Sequence, residues 1–328
     1  MGADYAAGQA LPTRNSSPAG SGLPARTAGN GGNGSVLPSR NPGGAGGSQH
    51  PAGPLPTRTT KFRRGGRHSS PYQLSLPPTA PALVLAVPGP PSAESDQVAG
   101  EVAAAAGNAC PGAEVRVGYL EGDDDALTPV LGELPGDGVM PSAVVVPLLA
   151  GPHPAALDAI GRAASAAHTP VIVTDPLGPH PLLAEVMHVR LSEGGLARAG
   201  RAGRISVGND ADGVIVLAAG GPVAVQSVGV VAVLLASRLA IPVDAASLGD
   251  PSGAVAAAER LRGARVTKLA LAPCFIGPEA APGELAAIQA ATRLECAAPL
   301  GAHAAIGHLA AIRYGAALDD PSLANLVG

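Results

Sequence analysis

A chain of 328 residues with 45 Gly, 34 Pro, only 2% aromatics and no Trp must build its core from Ala, Val, Leu and Ile. That composition excludes a nucleic-acid surface of stacking rings, and three scattered cysteines (Cys110, Cys274, Cys296) exclude a disulfide framework or zinc ribbon and fit a reducing cytoplasm. The net charge of −4 is unevenly spread: residues 1–77 carry eight Lys/Arg and one acid, a balance of +7, and the rest carries 13 basic and 24 acidic side chains, a balance of −11.

Residues 1–77 are mostly Gly, Pro, Ser, Asn and Arg with hardly an apolar cluster. Such a segment cannot bury enough surface to offset its conformational entropy, so a disordered tail is expected there. Its basic run, Lys61-Phe62-Arg63-Arg64-Gly65-Gly66-Arg67, has the charge to meet an anionic partner. A solvated tail is the simpler reading, and neither a nucleic-acid nor a membrane partner is expected. The start, Met-Gly-Ala-Asp-Tyr, lacks the basic-then-apolar pattern of a secretory signal, which favours a cytoplasmic protein.

From Pro78 the pattern becomes α/β. Ala82 to Val87 reads as a buried strand ended by Pro88-Gly89-Pro90-Pro91. A helix follows, with Ser92 or Ser95 as its N-cap and Val98, Val102 and Ala105 on one face. Val115–Leu120 is a second strand and Ala143–Leu149 a third, followed by an Ala-rich helix to about His168. Val171–Val173 is a short fourth strand, and Leu182–Glu193 a helix with Leu183, Val186, Met187 and Arg190 at helical spacing. Strands alternating with helices imply a mainly parallel sheet covered on both faces.

The second half repeats the first. Leu85-Ala86-Val87-Pro88-Gly89-Pro90 aligns with Leu217-Ala218-Ala219-Gly220-Gly221-Pro222, and Pro147 to Pro152 aligns with Pro273 to Pro278. Pro176-Leu177-Gly178-Pro179-His180 aligns with Pro299-Leu300-Gly301-Ala302-His303, and Arg190 with Arg313. These matches are offset by 132, 126 and 123 residues. Three matches in order, with slowly drifting offsets, predict two tandem α/β units, residues 78–205 and 206–328, behind the tail of 1–77. The uncharged stretch Gly213–Ser237 is long enough for a membrane span. Gly220-Gly221-Pro222 splits it after a β-branched run, so strand, turn and buried helix is the better reading.

In open parallel sheets, ligands bind beyond the carboxyl ends of the strands. Those ends in the first repeat carry Pro88-Gly89, Glu121-Gly122-Asp123-Asp124-Asp125 and Gly151-Pro152-His153. Glu121 and His153 thus come from different strands to one sheet edge, where oxygen and imidazole donors suit a borderline divalent metal or a proton transfer. A loop histidine beside prolines is also often just solvated. Asp123-Asp124-Asp125 reads as a solvated turn more readily than as a cation site.

The segments Leu83–Gly89, Arg116–Glu121, Val144–His153 and Pro176–Ala184, in this order, resemble the CbiX/SirB family of sirohydrochlorin chelatases. The resemblance extends over residues 80–318 and its stronger motifs lie in the first repeat. It implies a chelatase-like pair of α/β units with a cleft between them. It also implies a lyase-class metal chelatase that inserts Co²⁺ or Fe²⁺ into a tetrapyrrole, on the way to cobalamin or sirohaem, with no organic cofactor. The family pattern has a His after the first strand, a Glu closing the second and a His after the third. Carried over, Glu121 and His153 fit the last two as metal and catalytic residues, whereas the first His falls on Pro88, which can neither ligate a metal nor take a proton. The same positions of the second repeat are Gly220, Gly249 and Glu279, leaving Glu279 as that repeat's one plausible ligand. A non-catalytic tetrapyrrole or metal binder of the same fold is the alternative, and internal duplication removes the need for a dimer. His180 and His303, recurring in one turn, are expected to shape helix entry. Arg190 and Arg313 are expected to pack or cap rather than to pair with substrate carboxylates.

Overall fold

The computed structural model describes residue 76 and residues 79–123, 126–136, 140–197 and 210–319. The expected tail (Leu76 apart), the basic run, Asp124, Asp125 and the 205/206 boundary between repeats lie outside the described residues. Both repeats belong to one compact unit.

The first repeat runs β1 (Ala82–Val87), α1 (Ala93–Ala109), β2 (Val115–Tyr119), α2 (Leu127–Gly132), β3 (Ala143–Pro147), α3 (Pro154–Ala166), β4 (Val171–Val173) and α4 (Pro181–Glu193). The second runs β5 (Gly213–Ala218), α5 (Gly221–Leu239), β6 (Val243–Ser247), α6 (Pro251–Gly263), β7 (Leu269–Cys274), α7 (Glu284–Thr292), β8 (Glu295–Cys296) and α8 (Ala304–Leu318). Each repeat forms an all-parallel sheet, ordered β2-β1-β3-β4 and β6-β5-β7-β8. Every residue of β1, β3 and β5 is buried, which is why these strands read as continuous apolar runs, rich in Ala and Val, rather than as alternating patterns.

Both serines foreseen at the start of α1 take part in its cap. Ser92 is the N-cap and Ser95 returns the bond to the Ser92 amide, a complete capping box. Sequence reading passed over α2, a six-residue helix containing Pro129 and too short to show a period.

The strand registers correct the repeat alignment at one place. Leu83 pairs with Val115 and Val144, and Val214 pairs with Val243 and Ala270. Hence 83 corresponds to 214, a shift of 131 rather than 132, while 144 to 270 keeps the shift of 126. The loop after the first strand caused the discrepancy: residues 88–92 separate β1 from α1, but only 219–220 separate β5 from α5. In strand register Pro88 therefore corresponds to Ala219, and Gly89 to Gly220.

The repeats interlock through exchanged helices. The outer faces of the sheets carry separate small cores, one with Leu127, Leu131 and Ile160 and the other with Leu261 and Ile288. Their inner faces share one core with α1, α4, α5 and α8. There α8 packs on α1 and β3 of the first repeat, and α4 packs on α5 and β7 of the second. Tyr314 on α8 is fully buried and its hydroxyl donates to the Pro81 carbonyl at the entry to β1, 2.7 Å away. Across the same boundary Arg190 donates from Nε and Nη2 to the Leu300 carbonyl at 3.2 and 2.8 Å, while Arg313 Nη2 donates to the Leu177 carbonyl at 3.4 Å. Leu177 and Leu300 occupy equivalent turns, so the two bonds are reciprocal, as across a twofold axis.

The uncharged stretch of the second repeat does fold as strand, turn and helix. Its helix α5 is long and apolar enough to cross a membrane. It is buried on one side only, through Ala224, Val228, Val231 and Leu235, because it lies at the rim of the shared layer; Val223, Val230 and Val233 face outward.

Candidate functional site

In each sheet the chain changes direction between its first and third strands, which makes the crevice at the carboxyl ends of β1 and β3 the expected binding place. Pro88-Gly89 and Gly151-Pro152-His153 leave those two strands, and Glu121 leaves β2 on the other side of β1. The Glu121 amide donates to the Gly89 carbonyl at 3.3 Å, tying the two loops. The second repeat presents its own switch-point loops to the first. Gly220, at φ 109°, is so close that a Cβ there would lie 2.4 Å from the Pro152 carbonyl oxygen and 3.1 Å from the His153 Cα. At the equivalent place a Cβ on Gly89 would lie 3.8 Å from the Pro278 carbonyl oxygen. The site is therefore a seam where the loops of both repeats meet.

Glu121 is exposed and His153 half-buried at this edge. With β1 between them, their strands stand about 10 Å apart, two strand spacings, and no hydrogen bond or ion pair joins the two side chains. The structure brings them to one edge without bringing them into contact. Pro88 follows β1, the strand between theirs, and offers no side-chain donor atom. Among the described residues no group of three His, Cys, Asp or Glu side chains converges.

His153 has a second task. It is the N-cap of α3, its Nδ1 accepting the Ala156 amide at a long 3.4 Å, ahead of Pro154 at the first helical position. An imidazole whose Nδ1 accepts keeps its proton on Nε2. Binding a cation through Nε2 moves the proton to Nδ1 and releases the cap, a small loss for so long a bond.

His180 and His303 are N-caps as well, of α4 and α8, each accepting an amide at 3.1 Å through Nδ1. Burial holds both below the ordinary imidazole pKa, and so does the arginine of the opposite repeat, Arg313 for His180 and Arg190 for His303. The recurrence of the turn in both repeats had pointed to helix entry, and the caps show how it works. Arg190 and Arg313 are engaged on opposing carbonyls, as packing groups.

Glu279, the one plausible ligand of the second repeat, folds back onto its own loop. It is 8% exposed, and its carboxylate accepts the Ile276 amide at 2.6 Å and the Gly277 amide at 2.9 Å. Burial pushes its pKa up, against the pull of these amides. Neighbouring Cys274 is pushed up to about 12 by burial and by Glu279, so it stays a neutral thiol. Gly249, in the position of Glu121, has the Glu284 carboxylate 3.3 Å from where its Cβ would be. Sequence alignment of the repeats gave no hint of Glu284, because that side chain arrives from α7. Asp123 is exposed in the turn that follows β2, and its carbonyl accepts the Ala126 amide.

Residues 82–194 match the profile of the CbiX family, a span that begins with β1 and ends just after α4. The first repeat is thus the part of the chain that resembles the CbiX family. The fold of both units agrees. The sirohydrochlorin chelatase SirB from Bacillus subtilis subspecies spizizenii in complex with cobalt superposes with a TM-score of 0.52 at 15% identity, covering 74% of this chain and 97% of SirB. SirB from Bacillus subtilis with Fe³⁺ gives 0.51 at 14% identity, with the same coverage. The two repeats together thus span nearly the whole length of these chelatase structures. Comparison with the curated proteins gives no match.

Proposed function

We propose that this protein is a sirohydrochlorin chelatase, in which Co²⁺ or Fe²⁺ is a substrate inserted into the macrocycle with loss of two pyrrole protons. The observation that carries the reading is the placement of Glu121 and His153 on either side of β1, at the switch point of the first repeat and against the loops of the second repeat. His153 would hold the incoming cation through Nε2, giving up its bond to Ala156 as it does so, and would take one pyrrole proton at the same nitrogen once the cation has passed to the macrocycle, the other proton going to Glu121 or to solvent. Glu121 is a second oxygen donor or base, in keeping with the mixed N/O preference of these metals. The second repeat closes the cleft, so one chain supplies both walls and works as a monomer. Three free cysteines suit a cytoplasmic setting.

The test is to follow the absorption spectrum of sirohydrochlorin with CoCl₂ or anaerobic Fe²⁺. The protein should raise the insertion rate above the spontaneous one, and His153→Ala should cut the gain at least about 10-fold. The second reading, a non-catalytic binder of the pigment or the metal, draws on Pro88 and on the lack of a third converging donor among the described residues. Retained pigment binding with no rate above background would establish it instead.

A further inference from the structure

We infer that Gly220, in the second repeat, is a positioning residue for His153: its missing side chain lets the loop that carries the imidazole seat against α5. The consequence for metal handling rests on the chelatase reading. Three consecutive residues of the loop meet α5. A Cβ on Gly151 would lie 3.8 Å from Cγ2 of the buried Val228, an ordinary van der Waals contact. Pro152 and His153 then come up against Gly220, the N-cap of α5. A Cβ there would overlap the Pro152 carbonyl oxygen at 2.4 Å and crowd the His153 Cα at 3.1 Å. Both atoms are backbone, so no rotamer change makes room for a side chain.

Backbone conformation alone does not account for this contact. Gly89, the counterpart of Gly220, is also left-handed, at φ 75° against 109°, which suits glycine at both positions. The close approach occurs at one of them only, since a Cβ on Gly89 would keep 3.8 Å from the Pro278 carbonyl oxygen. The loose contact meets the loop whose Glu279 folds back on the Ile276 and Gly277 amides, and the tight one meets the loop with the imidazole. The second repeat thus acts at this place through its backbone and not through a ligand. The His153 loop is stiff enough to transmit the contact. Pro152 has its own φ fixed by its ring, and Pro154 confines His153 to extended backbone, found at φ −129° and ψ 95°. The His153 carbonyl accepts the Leu157 amide at 2.9 Å in the first turn of α3. With these torsions held, a displacement of Pro152 passes to His153 instead of being absorbed between them. The bond from Ala156 to His153 Nδ1, at 3.4 Å, is too long to resist it.

Gly220→Ala tests the inference against Gly221→Ala, its neighbour in the full-length chain. Both substitutions put an L side chain at positive φ and carry that strain, but nothing lies within 4 Å of a Cβ on Gly221. In the insertion assay with CoCl₂, Gly220→Ala should raise the Co²⁺ KM about 10-fold, with kcat at saturating Co²⁺ and the sirohydrochlorin KM held within about 2-fold. Gly221→Ala should leave all three within about 2-fold. Excess Co²⁺ then restores the rate of Gly220→Ala, which it cannot do for a general loss of structure. Without metal or pigment, the NMR signals of the His153 ring Cε1–Hε1 and of the Ala156 amide should move in Gly220→Ala and stay in place in Gly221→Ala. Unmoved signals in Gly220→Ala would overturn the inference, as would equal effects of the two substitutions. Moved signals with an unaltered Co²⁺ KM, while His153→Ala raises it, would overturn it too. If His153→Ala does not affect the Co²⁺ KM at all, the metal assignment fails and the NMR comparison alone decides the positioning role. Should Gly220→Ala not fold, the wild-type protein decides: a nuclear Overhauser effect between the Hα protons of Gly220 and His153 supports the contact, and its absence refutes it.

Discussion

Gly307, in the middle of α8, is where the exchanged helix comes closest to the first repeat. A Cβ at this position would lie 2.4 Å from the Ala105 Cβ, 2.9 Å from the Ala106 nitrogen and 2.9 Å from the Val102 carbonyl oxygen. Two of these three atoms are backbone of α1, so no rotamer change relieves the overlap. Ordinary contact begins near 3.4 Å, so the helices must part by roughly 1 Å along their crossing, loosening contacts over the whole of it. Overpacking of this kind costs about 1–3 kcal/mol, and here the upper end applies because rigid backbone is involved. Against it stands the gain of about 1 kcal/mol from replacing a helical glycine with alanine. Gly307→Ala should therefore destabilise by about 2 kcal/mol net. Urea denaturation followed at 222 nm measures it. Gly100 in α1 and Gly229 in α5 serve as controls, since nothing lies within 4 Å of a Cβ at either. Alanine at those positions should stabilise by about 0.5–1 kcal/mol. A Gly307→Ala protein as stable as the wild type would show that α8 does not cross α1 as described.

Removing the reciprocal arginines should have unequal effects. Arg190→Ala loses two charged hydrogen bonds to the Leu300 carbonyl and should cost about 2 kcal/mol, whereas Arg313→Ala loses a single long one and should cost about 1 kcal/mol or less; equal losses in urea melts would refute the geometry. The capping histidines should show in the acid limb of stability. Both have folded pKa values below the ordinary 6.5, so the unfolded chain binds protons first. Their contribution is complete above pH 6.5 and is lost as pH falls through the lower folded values. Replacing both with Asn, itself a good N-cap, should flatten the decline in melting temperature between pH 7.5 and about 5; an undiminished decline would place the titrating groups elsewhere.

Much of this architecture was legible in the residues. Buried parallel strands read as unbroken apolar runs, and the recurring Pro-Leu-Gly-x-His turn revealed two units before any coordinates did. The helix exchange was hidden, because periodicity in α4 and α8 shows that one face is buried but not which sheet buries it. The role of Glu279 was misjudged for a related reason: alignment placed it opposite His153, yet direction depends on the loop amides it meets. His153 follows the third strand, as its place in the sequence indicates, but its bond to Ala156 depends on a helix start that the sequence marks only by Pro154. Glu284 reached Gly249 from a helix whose approach no repeat alignment records.

The outward faces of α1 and α5 are a further product of duplication. Ser95, Ala99, Val102 and Ala106 are buried at positions that correspond, 129 residues on, to Ala224, Val228, Val231 and Leu235. With the same shift, exposed Glu94, Glu101 and Ala104 correspond to Val223, Val230 and Val233. In a homodimer, a substitution on such a face appears twice and its cost in solubility is doubled. Within one chain it is felt once, so one helix can keep its acids and remain well hydrated while its twin drifts to valine. The same freedom that let position 279 part from position 153 inside the molecule is thus also recorded on its surface.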